Sequence, residues 1–180
     1  MNIRRRVLEP SEGLAPGIGF YLSAMDDVRR QLREVVEGLS DEDCNRPACD
    51  GALALGALVM HVGEAEWWWI QCILGGREAT EEERAQPYWD VVFEPGVHTG
   101  DRYTARFCLE QIDLVREQTR RALARYTDAD LDMLRTHTND ERTLEFTLRW
   151  LLHHLIDHEA QHKGQVMMLK RIGGTVISDR

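Results

Sequence analysis

The pattern of apolar residues along the chain predicts four long helices. Apolar positions recur at alternating intervals of three and four residues, the spacing that places side chains on one face of a helix. No segment shows a comparable alternation of apolar and polar residues, so no strand is predicted. The sequence therefore predicts an all-α protein built as a four-helix bundle. The predicted helices span about 16–39, 52–74, 103–126 and 143–172.

Individual residues set the predicted helix ends. Pro16 suits the first turn of a helix, and Thr143 offers a side-chain cap for the fourth helix. The second helix is apolar over much of its circumference, so it should be the most enclosed. Asp128 to Leu134 is expected to form a short helical turn.

The segments between the helices favour one domain over residues 1–180. The length suits one domain with a sizeable core. Residues 1–15 are predicted to form an N-terminal arm. Residues 77–102 show no sustained period and form a long connection, of the kind that often serves as a lid or a binding loop.

The charge of the chain narrows the classes of partner. The sequence carries 22 Lys and Arg against 31 Asp and Glu, for a formal net charge of −9. Nucleic-acid binding is disfavoured, because it depends largely on neutralising phosphates. No stretch has the length of a membrane span or the character of a signal peptide. We expect a cytoplasmic protein without a membrane or nucleic-acid partner.

Histidines in the fourth helix are the main chemical signal. His154, His158 and His162 are spaced by four residues, so neighbouring pairs lie on one face about 6 Å apart. The outer two are about 12 Å apart and cannot share one ion. Any pair that binds a metal must therefore include His158.

The apolar stripe of the fourth helix selects the partner of His158. His158 and His162 fall on the stripe that includes Leu151 and Leu155, whereas His154 lies one position off it. Imidazoles that face a core need a partner for each ring nitrogen, and a shared metal ion provides one. A pair of core histidines bonded to carboxylates or carbonyls is the alternative.

A third ligand is expected from the second helix, where His61 occupies an inward position. Three histidines with an open fourth position are typical of catalytic rather than structural zinc. The alternative for His61 is a core histidine satisfied by hydrogen bonds. Candidates for orienting an imidazole or contacting a substrate are His154, Glu64 and Asp157.

These residues resemble a known family. His61 with Glu64, and the fourth-helix run that ends in His162-Lys-Gly-Gln165, are similar to the DinB-like (DinB/YfiT) family of metal-binding four-helix bundles. The resemblance implies an up-down-down-up helix order, with a long crossover between the second and third helices. It also implies a divalent metal, zinc or nickel, on His61, His158 and His162, and a homodimer.

The resemblance leaves two hypotheses for function. Characterised relatives transfer low-molecular-weight thiols of the bacillithiol or mycothiol type, so we expect a metal-dependent thiol S-transferase, or a hydrolase, that acts on a small molecule. The alternative is a non-catalytic homodimer in which the ion is structural. The triplet Trp67 to Trp69 departs from the commonest family pattern. Trp68 is expected beside the metal, and at least one of its neighbours should face a neighbouring chain, another helix or the long connection. The alternative is that all three pack only in the core or at an interface.

Overall fold

A computed structural model describes residues 5–47, 53–89, 103–138 and 143–173. Its secondary structure is mostly helical, as predicted. Short elements separate the long helices and do not alter this class. In chain order the elements are α1 (Pro16–Val36), α2 (Asp41–Asn45), α3 (Leu55–Trp67), a π-helix (Trp68–Leu74), α4 (Glu81–Arg84), α5 (Ala105–Leu123), a 3₁₀-helix (Asp128–Asp132), β1 (Leu134–Thr138), β2 (Thr143–Thr147) and α6 (Leu148–Ile172).

Side-chain hydrogen bonds cap the starts of α1, α5 and α6. Pro16 starts α1, and the backbone N–H groups of Gly17 and Ile18 donate to Asp128 Oδ1 at 2.9 and 3.2 Å. Because Asp128 lies in the 3₁₀-helix, this cap joins distant parts of the chain. Thr104 and Thr147 accept from N–H groups in the first turns of α5 and α6.

Helix α3 occupies the centre of the fold. It packs against both α5 and α6, while α1 packs against α6. Every residue of α3 except His61 is buried, which confirms that the second predicted helix is the most enclosed. Among the described residues, no helix combines the length and apolar character needed to cross a bilayer. The up-down-down-up order stays a prediction.

A β-hairpin replaces the predicted start of the fourth helix. Strands β1 and β2 pair in antiparallel register, with Leu134 opposite Thr147 and Thr138 opposite Thr143. The prediction of no strands, and of Thr143 as a helix cap, was therefore wrong. Leu144 and Phe146 alternate with exposed or less buried residues, and this period of two is too short to stand out beside a helix.

The second predicted helix changes geometry part-way. From Trp68 to Leu74 it is a π-helix, and the N–H groups of Gly75 and Arg77 bond to carbonyls five residues earlier. A π segment rotates the side chains that follow relative to an α-helical projection. Ile70, within this segment, is buried.

The predicted apolar stripes of the first and fourth helices were right in part. The first-helix stripe is buried at Ile18, Met25, Leu32 and Leu39, whereas Leu22, Arg29 and Val36 are buried in place of the predicted Tyr21, Val28 and Val35. In α6 the inward face continues after Leu155 through Glu159, Val166 and Lys170. His158 and His162 lie at the edge of this face. The apolar spacing did not identify the whole inward face, because charged residues occupy several of its positions.

Those charged residues form a buried cluster, with one member from each long helix: Arg29, Glu66, Arg116 and Glu159. Arg29 Nη2 lies 2.8 Å from Glu66 Oε2, and its Nε donates to Glu159. Arg116 contacts both carboxylates, at 2.8 Å to Glu66 Oε1 and 2.9 Å to Glu159 Oε2. Both arginines therefore join α3 to α6.

Removal of one charge from this cluster should strongly destabilise the protein. Glu66→Gln leaves Arg29 and Arg116 short of a buried counter-charge, and breaking such a pair costs about 3–5 kcal/mol. We expect that loss in the free energy of unfolding measured with urea at pH 7. The control Glu110→Gln removes half of the exposed pair with Arg106, which should cost less than about 1 kcal/mol. Equal effects of the two variants would contradict a structural role for the cluster.

The same carboxylate predicts acid sensitivity. Burial alone would raise the pKa of Glu66. The positive charges of Arg116 and Arg29 lower it by a larger amount, so the net pKa is about 2 instead of the ordinary 4.5. Because the folded-state pKa is lowered, ionised Glu66 stabilises the fold above pH 4.5, and this contribution is lost as the pH falls toward 2. Between pH 5 and pH 2.5, wild type should lose more unfolding free energy than Glu66→Gln. Parallel pH profiles would contradict this assignment.

Candidate metal centre and its family

The site lies where α3 faces α6. His61 comes from α3, and His158 and His162 come from consecutive turns of α6. The centroid of the His61 ring lies 5.2 Å from that of His158 and 5.0 Å from that of His162. The two α6 rings are 4.4 Å apart. The structure thus brings together the three residues that the sequence singled out.

The nitrogen atoms of these rings converge. His158 Nε2 and His162 Nε2 are 3.1 Å apart, and one nitrogen from each of the three rings lies within 4.8 Å of the others. Two imidazole nitrogens on one tetrahedral zinc ion, with bonds of about 2.0–2.1 Å, are separated by about 3.4 Å. The donor set and its spacing therefore fit one divalent ion. In the described part of the chain, no other group of His, Cys, Asp or Glu meets this criterion.

Hydrogen bonds three residues along each helix fix two of the rings. His61 Nδ1 lies 2.9 Å from Glu64 Oε2, and His162 Nδ1 lies 2.8 Å from Gln165 Oε1. Both partners present acceptor oxygens, so each Nδ1 carries the proton. The Nε2 atom of each ring then keeps the lone pair that a metal requires.

The environment favours neutral imidazoles. Burial, reinforced by the neighbouring histidines His162 and His61, lowers the pKa of His158 to about 3. Burial also lowers the pKa of His162, and His61 adds to the effect. Neutral rings are the form that binds metal.

The three histidine rings are not fully enclosed. The side chain of His61 is 14% exposed, and His158 and His162 are partly buried rather than enclosed. A structural zinc site is usually enclosed by four protein ligands, whereas a catalytic site keeps a position for water or substrate. The arrangement therefore leaves access to a bound ion.

The other candidate residues are divided between the site and its surroundings. Asp157 is exposed and accepts from Gln161 Nε2 at 2.6 Å, with no bond to the three rings. His154 lies beside the site, with its ring centroid 5.9 Å from that of His158. Its tryptophan neighbours are Trp69 and Trp150, at 5.0 and 5.1 Å between ring centroids, whereas Trp68 contacts Trp69 and His137. From the sequence pattern, two residues of the long connection, His98 and Arg102, could reach the site; both lie outside the described residues.

Trp67 turns away from these rings. It is buried, donates from Nε1 to Gln118, and contacts Trp89 of the 77–102 connection at 5.4 Å between ring centroids. The expectation that one tryptophan of the triplet faces this connection is confirmed.

Sequence comparison identifies the family. Residues 21–172 match the family described as mycothiol-S-transferase. The chain belongs to the mycothiol-S-transferase family. This match spans both histidine-bearing helices, and it confirms the resemblance to DinB-like proteins. None of the curated proteins matches the chain significantly.

A solved structure supports the fold independently. The chain is similar to a DinB-like protein from Bacillus cereus ATCC 10987, with a TM-score of 0.62 and 19% sequence identity. The similarity covers 89% of this chain and 95% of that protein. At this identity the likeness shows a shared fold and says nothing about a shared activity.

The two bracing hydrogen bonds should strengthen metal binding. Partners that orient a ligating imidazole typically contribute 10- to 100-fold in metal affinity. We expect Glu64→Ala and Gln165→Ala each to weaken zinc binding by about that factor, measured by competition with a chelating dye. Glu64→Gln keeps an acceptor oxygen and should recover most of the affinity.

The matched control is Gln161→Ala, which removes an exposed α6 glutamine that bonds to Asp157 rather than to an imidazole. Its zinc affinity should equal that of wild type. If all three alanine variants bound zinc as tightly as wild type, the bracing role would be wrong.

Proposed function

We propose that the protein is a metal-dependent thiol S-transferase that uses mycothiol or a related low-molecular-weight thiol. The observation that carries the proposal is the convergence of His61, His158 and His162 where α3 faces α6, with all three rings partly exposed. Membership in the mycothiol-S-transferase family supports the reaction class and a small-molecule substrate. Zinc or nickel is the proposed ion, because imidazole nitrogens suit both.

The residues in and around the site have separate proposed roles. His61, His158 and His162 would hold the ion, and Glu64 and Gln165 keep two of the rings in the tautomer that binds it. A bound divalent ion would supply a positive charge that lowers the pKa of the incoming thiol. The buried cluster of Arg29, Glu66, Arg116 and Glu159 keeps α3 and α6 in place.

The proposed reaction is a substitution at carbon. The thiol sulfur forms a bond to the carbon that carries a leaving group, and the leaving group departs with the electron pair of the broken bond. The proton of the thiol passes to water. The product is a thioether of the low-molecular-weight thiol.

Two alternatives follow from the same site. A hydrolase would use water in place of the thiol. A homodimer with a purely structural ion is the other, but partial exposure of the histidines favours the catalytic interpretation over an enclosed site.

Metal content tests the ligand assignment. Protein purified without an affinity tag should carry about one divalent ion per chain, measured by plasma mass spectrometry. His61→Ala and His158→Ala should lose it, since two imidazoles bind much more weakly than three. The matched control His154→Ala removes a neighbouring histidine outside the set and should retain the ion.

Activity distinguishes the alternatives. The loaded protein should conjugate mycothiol to an alkyl halide, and treatment with a chelator followed by added zinc should abolish and restore the reaction. Wild-type protein that refuses both zinc and nickel would overturn the metal site. Loaded protein without thiol transfer, whose helical structure collapses on chelation, would favour the structural ion.

A further inference from the structure

A group of aromatic rings lies beside the three candidate metal ligands, near the N-terminal end of α6. Trp69, Trp150 and His154, here called the aromatic cluster, contact one another with ring centroids 5.0–5.7 Å apart. The rings of Trp150 and His154 are parallel within 2°, and Trp69 lies edge-on to both. The cluster adjoins the metal site through His154 and His158.

The π-helix helps to build this cluster. It begins at Trp68, so Trp69 projects from its second residue toward the N-terminal turns of α6. Phe146 of β2 supports Trp69 from the hairpin, with ring centroids 6.5 Å apart. Three separate elements therefore hold one aromatic surface, and this surface does not depend on the metal.

The cluster presents both apolar area and unused polar atoms. Trp150 is 43% exposed despite its size. His154 is held by ring contacts, and neither of its nitrogens bonds to another residue in the described ranges. A neutral imidazole offers one donor and one acceptor, so His154 can make a directional hydrogen bond to a ligand.

The charges near the cluster give no specific site for an anionic ligand. Arg149, next to Trp150 in the sequence, already pairs with both oxygens of Asp132 at 2.6 and 2.7 Å, and the negative charge of Asp157 acts on His154. Aromatic faces prefer to stack on flat rings, and a neutral imidazole adds one directional hydrogen bond.

We propose that Trp69, Trp150 and His154 bind the electrophilic partner of the thiol, and that this partner carries a planar aromatic or conjugated group with a hydrogen-bonding substituent. The inference rests on the proposed S-transfer, because it names the class of the second substrate. Stacking on Trp150 and a hydrogen bond to His154 would direct the reactive carbon of the ligand toward the three histidines.

Equilibrium dialysis on metal-free protein tests the binding surface without the reaction. The probe is 2,4-dinitroaniline, which is planar, coloured and unreactive, and cyclohexanol is the non-planar comparison. Trp150→Ala should raise the Kd of the probe about three- to tenfold, the range expected for loss of one aromatic stacking contact. His154→Phe should also weaken binding of the probe. It should not weaken binding of naphthalene, which has no hydrogen-bonding atom.

The matched control is Phe20→Ala on α1, because Phe20 is 44% exposed and makes no ring contact in the described part of the chain. It should bind the probe as wild type does. Unchanged affinity in Trp150→Ala, an equal loss in Phe20→Ala, or cyclohexanol binding as tight as the probe would overturn the inference.

The metal content of Trp150→Ala and His154→Phe should stay at the wild-type value, so the two proposals fail separately. Loss of probe binding with metal intact supports the aromatic cluster. Intact probe binding in a protein that takes up no metal would contradict the proposed S-transfer alone.

Discussion

The buried ion cluster is the interaction on which the rest of the structure depends. Arg29 and Arg116 each contact Glu66 on α3 and Glu159 on α6. Glu159 directly follows His158, and Glu66 lies five residues after His61, so the arginines fix how the two histidine-bearing helices face each other. An apolar interface could slide with little penalty, whereas charges removed from water must keep their partners.

The candidate site follows from this constraint. Once α3 and α6 are held together, residues three and four apart on each helix decide the chemistry. The four-residue spacing of His158 and His162 puts both Nε2 atoms on one side, and a three-residue spacing gives His61 and His162 their acceptors in Glu64 and Gln165. The aromatic cluster continues the same face of α6 by one turn.

Much of this could be predicted from the sequence, and the failures have physical causes. The mostly helical class, the start of α1 at Pro16 and the histidines were accessible because each rests on local spacing. The hairpin was not, because Leu144 also fits the helical stripe four residues before Leu148, and the alternation of Leu144 and Phe146 spans only one short strand. Arg29 and Glu159 were overlooked because a pattern search assigns charges to solvent, although both follow the inward spacing. The role of Gln165 as a hydrogen-bond partner of His162 could have been predicted from the spacing that it shares with Glu64, since each lies three residues after a histidine.

X-ray absorption at the metal edge, on protein loaded with one zinc ion per chain, tests the central claim most directly. We predict three imidazole nitrogens at about 2.0–2.1 Å and one exchangeable oxygen ligand, which a sulfur at about 2.3 Å replaces when mycothiol is added. A shell of four protein ligands that does not change with the thiol would contradict it, as would a spectrum without imidazole scattering.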